Sequence, residues 1–247
     1  MSIFSLVVAR KGSKGVKDKC MRKITGKAVF EYTIGYSIDL DSMIEEEVFT
    51  VVSSDSKIIR EYCSKNNIHF LKRSPELASD IARIEDVIYD AYRKIGNDFD
   101  YISLLYGNIP TRYPEEFLKA YNFLVNNKDY DAVISMQNVE KFNPSWMFEL
   151  NEETLPVKRE KGYRRQDLKQ FMIDDGHTIL FRTKHFLEFM KKNSEIKVIH
   201  EAFGKKIKPM LNDKLIIDID TEKDLRLAEA VLKFVNLRGE RINYDSC

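Results

Sequence analysis

Short apolar runs alternate with longer segments in which apolar residues recur every three or four positions. The run at 3–9 predicts a first strand, and "KAVFEYTIGYSIDL" (27–40) carries helical spacing. "EEVFTVVSSD" (46–55) predicts a second strand ending at Ser54 and Asp55, and "SKIIREYCSKNN" (56–67) the helix after it. "HFLKR" (69–73) predicts a short strand, "IARIEDVIYDAYRKI" (81–95) a helix and "DYISLLY" (100–106) a fourth strand. "PEEFLKAYNFLVNN" (114–127) and "YDAVISMQNV" (130–139) continue as helix and strand. This rhythm predicts an α/β fold, with a mostly parallel sheet covered by helices on both faces.

Between 139 and 180 the rhythm breaks. "EKFNPSWMFELNEETLPVKREKGYRRQDLKQFM" (140–172) mixes aromatics, turn residues and charge without a clean period. It is expected to leave the sheet as a β-hairpin arm used for dimerisation. Regular patterning returns with "HTILFR" (177–182) as a strand and "TKHFLEFMKKN" (183–193) as a helix. "KLIIDIDTEKDLRLAEAVLKFV" (214–235) then predicts a strand and a final helix with Asp220 or Thr221 as N-cap. The expected organisation is a core in two parts, 1–138 and 181–238, with the excursion at 139–180 between them and a frayed tail at 239–247.

Composition narrows the picture. The 247 residues, 32% charged and 43% hydrophobic, carry a formal net charge of +1, so a dedicated nucleic-acid binder is not expected. Three scattered cysteines (Cys20, Cys63, Cys247) fit a reducing compartment better than a disulfide framework. No apolar run approaches the roughly 20 residues needed to span a bilayer. A cytoplasmic protein without a membrane partner is expected.

Against that neutral background, positive charge is concentrated directly after the first strand. Arg10, Lys11, Lys14, Lys17 and Lys19 surround Gly12, Ser13 and Gly15. A Gly-rich turn at the carboxyl end of a parallel strand exposes N–H groups to an anion, and the cations add full charges. The spacing is neither a Walker A sequence nor GxGxxG, and a solvated surface loop has about the same claim on it. In "IDIDTEKDL", Asp218 and Asp220 alternate with Ile217 and Ile219, which puts both carboxylates on one face about 7 Å apart at Cα. Such a pair suits a hard divalent cation shared with phosphates, or else the cap of the next helix. "KRSPELASD" (72–80) and "LLYGNIPTR" (104–112) follow strands, so Arg73 and Arg112 are further candidates for the anion, and Glu76 and Asp80 for orienting a loop. "RRQDLKQFMIDDG" (164–176) lies in the excursion and reads most simply as a salt-bridged hairpin. His69, His177, His185 and His200 show no ligand spacing and are assigned no chemistry.

Taken in order, these stretches resemble the CMP-sialic acid synthetases, the cytidylyltransferases that activate sialic acids and related nonulosonic acids. "ARKGSKG" with Lys19 matches the family's opening, "VVSSDS" a strand end, "RSPELASD" its next loop and "IDIDTEKDL" its closing motif. The resemblance implies a Rossmann-like nucleotide-diphospho-sugar transferase fold, a homodimer, Mg²⁺ and CTP. By position, Ala9, Arg10, Gly12, Ser13, Lys14 and Lys19 would form the triphosphate loop, with Arg73 and Ser79 near the nucleotide. Asp218 and Asp220 would hold the metal, and Arg10, Lys19 and Asp218 would be catalytic. Arg165 and Gln166 would approach the sugar across the dimer, with Tyr106, Asn108 and Asp175 also on the sugar side.

The departures cluster. The family's Gln that reads the sugar is Tyr106 here, an Asn after the first Lys cluster is Cys20, and an Asn before the late Gly is Asp175. Phosphate and metal positions hold while sugar-side positions change, which favours the same reaction on a different acid sugar. A nucleotidyltransferase for another sugar or sugar phosphate, or a non-catalytic nucleotide-binding relative, remains the alternative.

Overall fold

The computed structural model describes residues 1–12, 15–149, 164–192 and 195–238, with the side chains of residues 140, 165 and 235–238 left undescribed. The chain runs β1 (Ser2–Val8), β2 (Lys23–Ile24), β3 (Lys27–Ala28), α1 (Val29–Asp41), β4 (Glu47–Ser54), α2 (Lys57–Lys65) and β5 (His69–Lys72). It continues through α3 (Ile84–Ile95), β6 (Tyr101–Tyr106), α4 (Pro114–Asn126), β7 (Ala132–Asn138), β8 (Met172–Arg182), α5 (Thr183–Lys191), β9 (Ile207–Leu211) and α6 (Glu222–Arg238). Seven strands form one sheet in the order β5-β4-β1-β6-β8-β7-β9, and β2 and β3 make a separate small hairpin.

Alternation along β1 shows why both faces are covered. Ile3 and Val7 pack with residues of α1, α2, α4 and α6, whereas Phe4, Leu6 and Val8 pack with α3 and α5. A strand buried on both faces reads as a nearly continuous apolar run, as 3–9 does. The expected α/β architecture, mostly parallel with helices on both faces, is what the chain forms. The exception is β8, which runs antiparallel to both β6 and β7.

Three differences from the sequence reading bear on the site. First, β8 begins at Met172, within the stretch expected to stand outside the sheet. Residues 139–149 contain two short 3₁₀ turns, and 150–163, the middle of the expected excursion, lie outside the described residues, as does the tail. Second, β9 was not expected; it adds an edge, parallel to β7, where Pro209 is tolerated. Third, the segment 215–220 joins no β ladder. Its alternation survives because Ile217 and Ile219 are buried. In place of a strand partner, Ile219 donates its N–H to the Asn108 carbonyl (3.1 Å) and Ile217 donates to Thr111 Oγ1 (2.8 Å). The loop after β6 therefore carries the two aspartates.

Candidate active site

Strand order reverses at β1, whose parallel neighbours β4 and β6 lead to opposite sides of the sheet. Ligands of open α/β sheets bind at such a switch point, beyond the carboxyl ends of the strands. Backbone hydrogen bonds continue past the strands and draw the loops together there. Ala9 donates to the Ser53 carbonyl (3.2 Å), Arg73 to that of Ser54 (2.9 Å) and Gly107 to that of Val8 (2.9 Å). A Cβ on Gly107 would lie 2.7 Å from that of Ala9, so the close approach of these two loops requires glycine.

The cleft between the loops has a volume of about 350 Å³ and is lined in part by Arg10, Lys19, Arg73, Ser79, Tyr106, Asn108 and Asp218. The resemblance implies all seven from separate places in the chain: Arg10 and Lys19 at the triphosphate, Arg73 and Ser79 near the nucleotide, Asp218 at the metal, and Tyr106 and Asn108 on the sugar side. Ser79 donates its hydroxyl to the Glu76 carbonyl (2.7 Å), which ties up the turn beside the cleft. Ser13 and Lys14 lie outside the described residues, and Gly12 is exposed with open space around it.

The three cations differ in their partners. Arg10 pairs with Asp80 at 2.7 Å, as expected of a loop-orienting carboxylate. Lys19 donates to Asp220 at 2.6 Å. Arg73 is 6% exposed and gives its hydrogen bonds to Ser53, through Nε to the hydroxyl (3.3 Å) and through a terminal nitrogen to the carbonyl (2.9 Å). Burial pulls its pKa down to about 10, the charge of Arg10 acts in the same direction, and Asp55 opposes them. A guanidinium satisfied by neutral acceptors and crowded by another cation favours an incoming anion.

Opposite them stand the two aspartates. Asp218 opens to the cleft, yet protein crowds its carboxyl, and burial followed by the charge of Asp220 raises its pKa to about 6. Lys19 and Arg112 act against that rise. Asn108 Nδ2 donates to Asp218 Oδ1. The backbone of the cationic loop rests on the same segment, since a Cβ on Gly15 would lie 2.1 Å from the Asp220 carbonyl oxygen. Glycine is thus required at 15 for contact between the two motifs, a role separate from anion binding. Among the described residues no group of three or more His, Cys, Asp and Glu side chains is placed to hold a metal. Two carboxylates with room for phosphate oxygens are a donor set that suits Mg²⁺, which keeps several non-protein ligands.

Arg112 has a different place from the one expected. It is fully buried and cannot meet a ligand in the cleft. The β6–β8 ladder ends at Leu104 and Ile179, and beyond it the strands separate. Arg112 bridges the gap, donating to the His177 carbonyl (2.5 Å) and the Tyr106 carbonyl (2.9 Å) under the ring of Tyr36. His177 is neutral in the same pocket: Tyr113 N–H donates to its Nε2 (2.7 Å), and burial, then Arg112, holds its pKa well below the usual value.

Of the residues expected on the sugar side, Tyr106 reaches the cleft, and burial raises its pKa. Asp175 faces inward, accepting from Ser135 Oγ (2.5 Å), Asn212 (3.0 Å) and the His177 N–H (2.9 Å), and burial raises its pKa. It belongs to a bulge: Ile134 pairs with Ile179 but Met136 with Asp174, so β8 carries extra residues there. Gly176 in the bulge has φ +66° and approaches Ile109. The bulge aims Asp174 at His200 Nε2 (2.9 Å), a contact that no local sequence pattern announces. Gln166 is exposed in a short 3₁₀ turn with Arg165, whose side chain lies outside the described residues.

Fold and cleft define an open α/β protein of the kind that takes phosphorylated ligands at its switch point. The chain belongs to the cytidylyltransferase family, whose sequence pattern matches residues 4–242. It is 30% identical over 190 residues to the N-acylneuraminate cytidylyltransferase of Streptococcus agalactiae serotype V, covering 76% of this chain and 45% of that one. The chain thus spans about half the length of the S. agalactiae relatives it matches. It is 27% identical over 240 residues to the CMP-N,N'-diacetyllegionaminic acid synthase of Legionella pneumophila, covering 94% of this chain and 97% of that protein. Its fold matches that of CMP:2-keto-3-deoxy-manno-octonic acid synthetase complexed with CTP, with a TM-score of 0.71 and 14% identity over 95% of this chain and 99% of that one.

Proposed function

We propose that the protein transfers CMP from CTP to the anomeric hydroxyl of a sialic acid or related nonulosonic acid, releasing pyrophosphate. The observation that carries this reading is the convergence of Arg10, Lys19 and Arg73 on one cleft facing Asp218. Family membership and relatives named for sialic and legionaminic acid chemistry support cytosine nucleotide and acid-sugar substrates.

The triphosphate lies along the loop after β1, where Arg10 and Arg73 neutralise it and Lys19 faces the phosphate undergoing attack. Asp218 and Asp220 would hold Mg²⁺, which when bound would supply neutralisation of phosphate charge and a lowered pKa for the attacking hydroxyl. Arg10 exchanges Asp80, and Lys19 exchanges Asp220, for phosphate oxygens as the nucleotide enters. Tyr106 lines the acceptor side. Arg165 is the candidate for the sugar carboxylate, through a bidentate pair.

The apolar side chains of Phe142, Trp146, Met147, Phe148, Met172 and Ile173 are exposed around the start of β8, which supports a homodimer formed through this region. Free, buried Cys20 and Cys63 support a cytoplasmic location. Among the described residues no helix is long and apolar enough to cross a membrane.

Nucleotide titration tests the cleft assignment. Calorimetry should show CTP binding at least about 10-fold more tightly than CMP, because each charge-assisted contact to the two outer phosphates is worth about 1.5–3 kcal/mol. Equal affinity for the two nucleotides would remove the triphosphate from this cleft.

A further inference from the structure

Asp218 and Asp220 are oriented by chemically different donors. Lys19 brings a full positive charge to Asp220, whereas a neutral carboxamide, that of Asn108, holds Asp218. Among the described residues Asn108 is the hydrogen-bond partner of the Asp218 carboxylate. A neutral donor engages one oxygen and leaves both the net charge and the second oxygen for a cation.

The placement of Asn108 is fixed from several directions. Gly107, just before it, is locked against Ala9 and Val8 at the end of β1. The Asn108 carbonyl accepts from Ile219 N–H, the residue between the two aspartates, and its side-chain nitrogen also lies 3.5 Å from the Ile219 carbonyl. The residue is 8% exposed. One residue on the β6 loop thus fixes the height of the aspartate segment through its carbonyl and the rotation of Asp218 through its side chain.

We propose that Asn108 is a positioning residue that orients Asp218 toward the divalent cation and does not itself read the acceptor sugar. This deepens the assignment of Asp218 and Asp220 as the metal site and rests on it. Its chemistry is that of the donors behind metal ligands, whose loss typically weakens metal binding by about 10–100-fold.

The test is Mn²⁺ binding to the full chain with CTP present, read as loss of the free-ion electron paramagnetic resonance signal beyond that caused by the same CTP without protein. Wild type is compared with Asn108→Leu, which keeps the branched outline and removes the donor. Asn108→Ser, smaller and unable to reach Asp218, stands in if the leucine variant fails to fold. Both substitutions should weaken Mn²⁺ binding about 10–100-fold, leaving metal-free CTP affinity and the acceptor KM within about twofold. Unchanged Mn²⁺ affinity together with a raised acceptor KM would overturn the proposal and return Asn108 to the sugar site. Failure of the wild-type protein to bind Mn²⁺ with CTP, while Asp218→Asn behaves the same, would instead overturn the metal assignment and this proposal with it.

Discussion

Lys19→Met is expected to lower kcat for pyrophosphate release by about 10²–10³, the usual consequence of removing one preorganised donor to developing charge. Lys19 reaches the cleft from the turn after the cationic loop, its side chain is 18% exposed, and it contacts Asp220 at 2.6 Å. Methionine keeps the apolar stem, so packing around Cys20 should survive. Two effects then combine. The attacked phosphate loses a cation, and Asp220 loses the charge that offsets its repulsion of Asp218. Because the first effect belongs to the transition state, kcat and kcat/KM should fall together, with KM for CTP changed far less. Steady-state kinetics across CTP concentration decides it. A rise in KM with kcat unchanged would make Lys19 a ground-state binding residue only.

The largest stability effect is expected at Arg112, outside the chemistry. Arg112→Ala should lower unfolding free energy by about 3–5 kcal/mol, seen as a fall in the urea midpoint at unchanged slope. The substitution empties the space beneath Tyr36, takes the donor from the His177 carbonyl and leaves the Tyr106 carbonyl with the longer bond from Thr33 Oγ1 (3.3 Å) where β6 and β8 separate. Each buried polar group so orphaned costs about 1–3 kcal/mol. Arg112→Lys should recover part of the loss, since an ammonium meets one carbonyl but lacks the fork that spans both. A midpoint within about 0.2 M of wild type for the alanine variant would mean that the gap closes without the guanidinium.

These two residues also show what the sequence made legible. Lys19, Arg10 and the Asp218–Asp220 pair sit in compact motifs at predicted strand ends, and a parallel sheet brings such ends to one edge whatever the loops do in detail. Arg112 was equally visible, but as a candidate anion ligand. Nothing in "IPTR" tells whether a guanidinium points to the cleft or back between two strands. The alternation of "LIIDID" correctly placed Ile217 and Ile219 inward. It did not distinguish a ladder strand from a segment hung on Asn108 and Thr111, because a side-chain hydroxyl satisfies an N–H as a strand partner does. Likewise the direction of β8 is not written in its own residues. It follows from the connection after β7, which returns the chain to the sheet at the end where β7 leaves it, Met172 pairing with Asn138. The contact of Gly15 with Asp220 joins residues 205 positions apart, beyond the reach of any local pattern.

The central claim is cytidylyl transfer to an acid sugar, and pyrophosphate release tests it most directly. Wild type and Asp218→Asn are incubated with CTP, Mg²⁺ and a panel of nonulosonic acids and simpler keto-acid sugars. Release is expected with at least one acid, coupled one-to-one to a CMP-sugar product, and reduced by about 10²-fold or more in the variant. No release with any acid, or release equal in wild type and Asp218→Asn, would contradict the account.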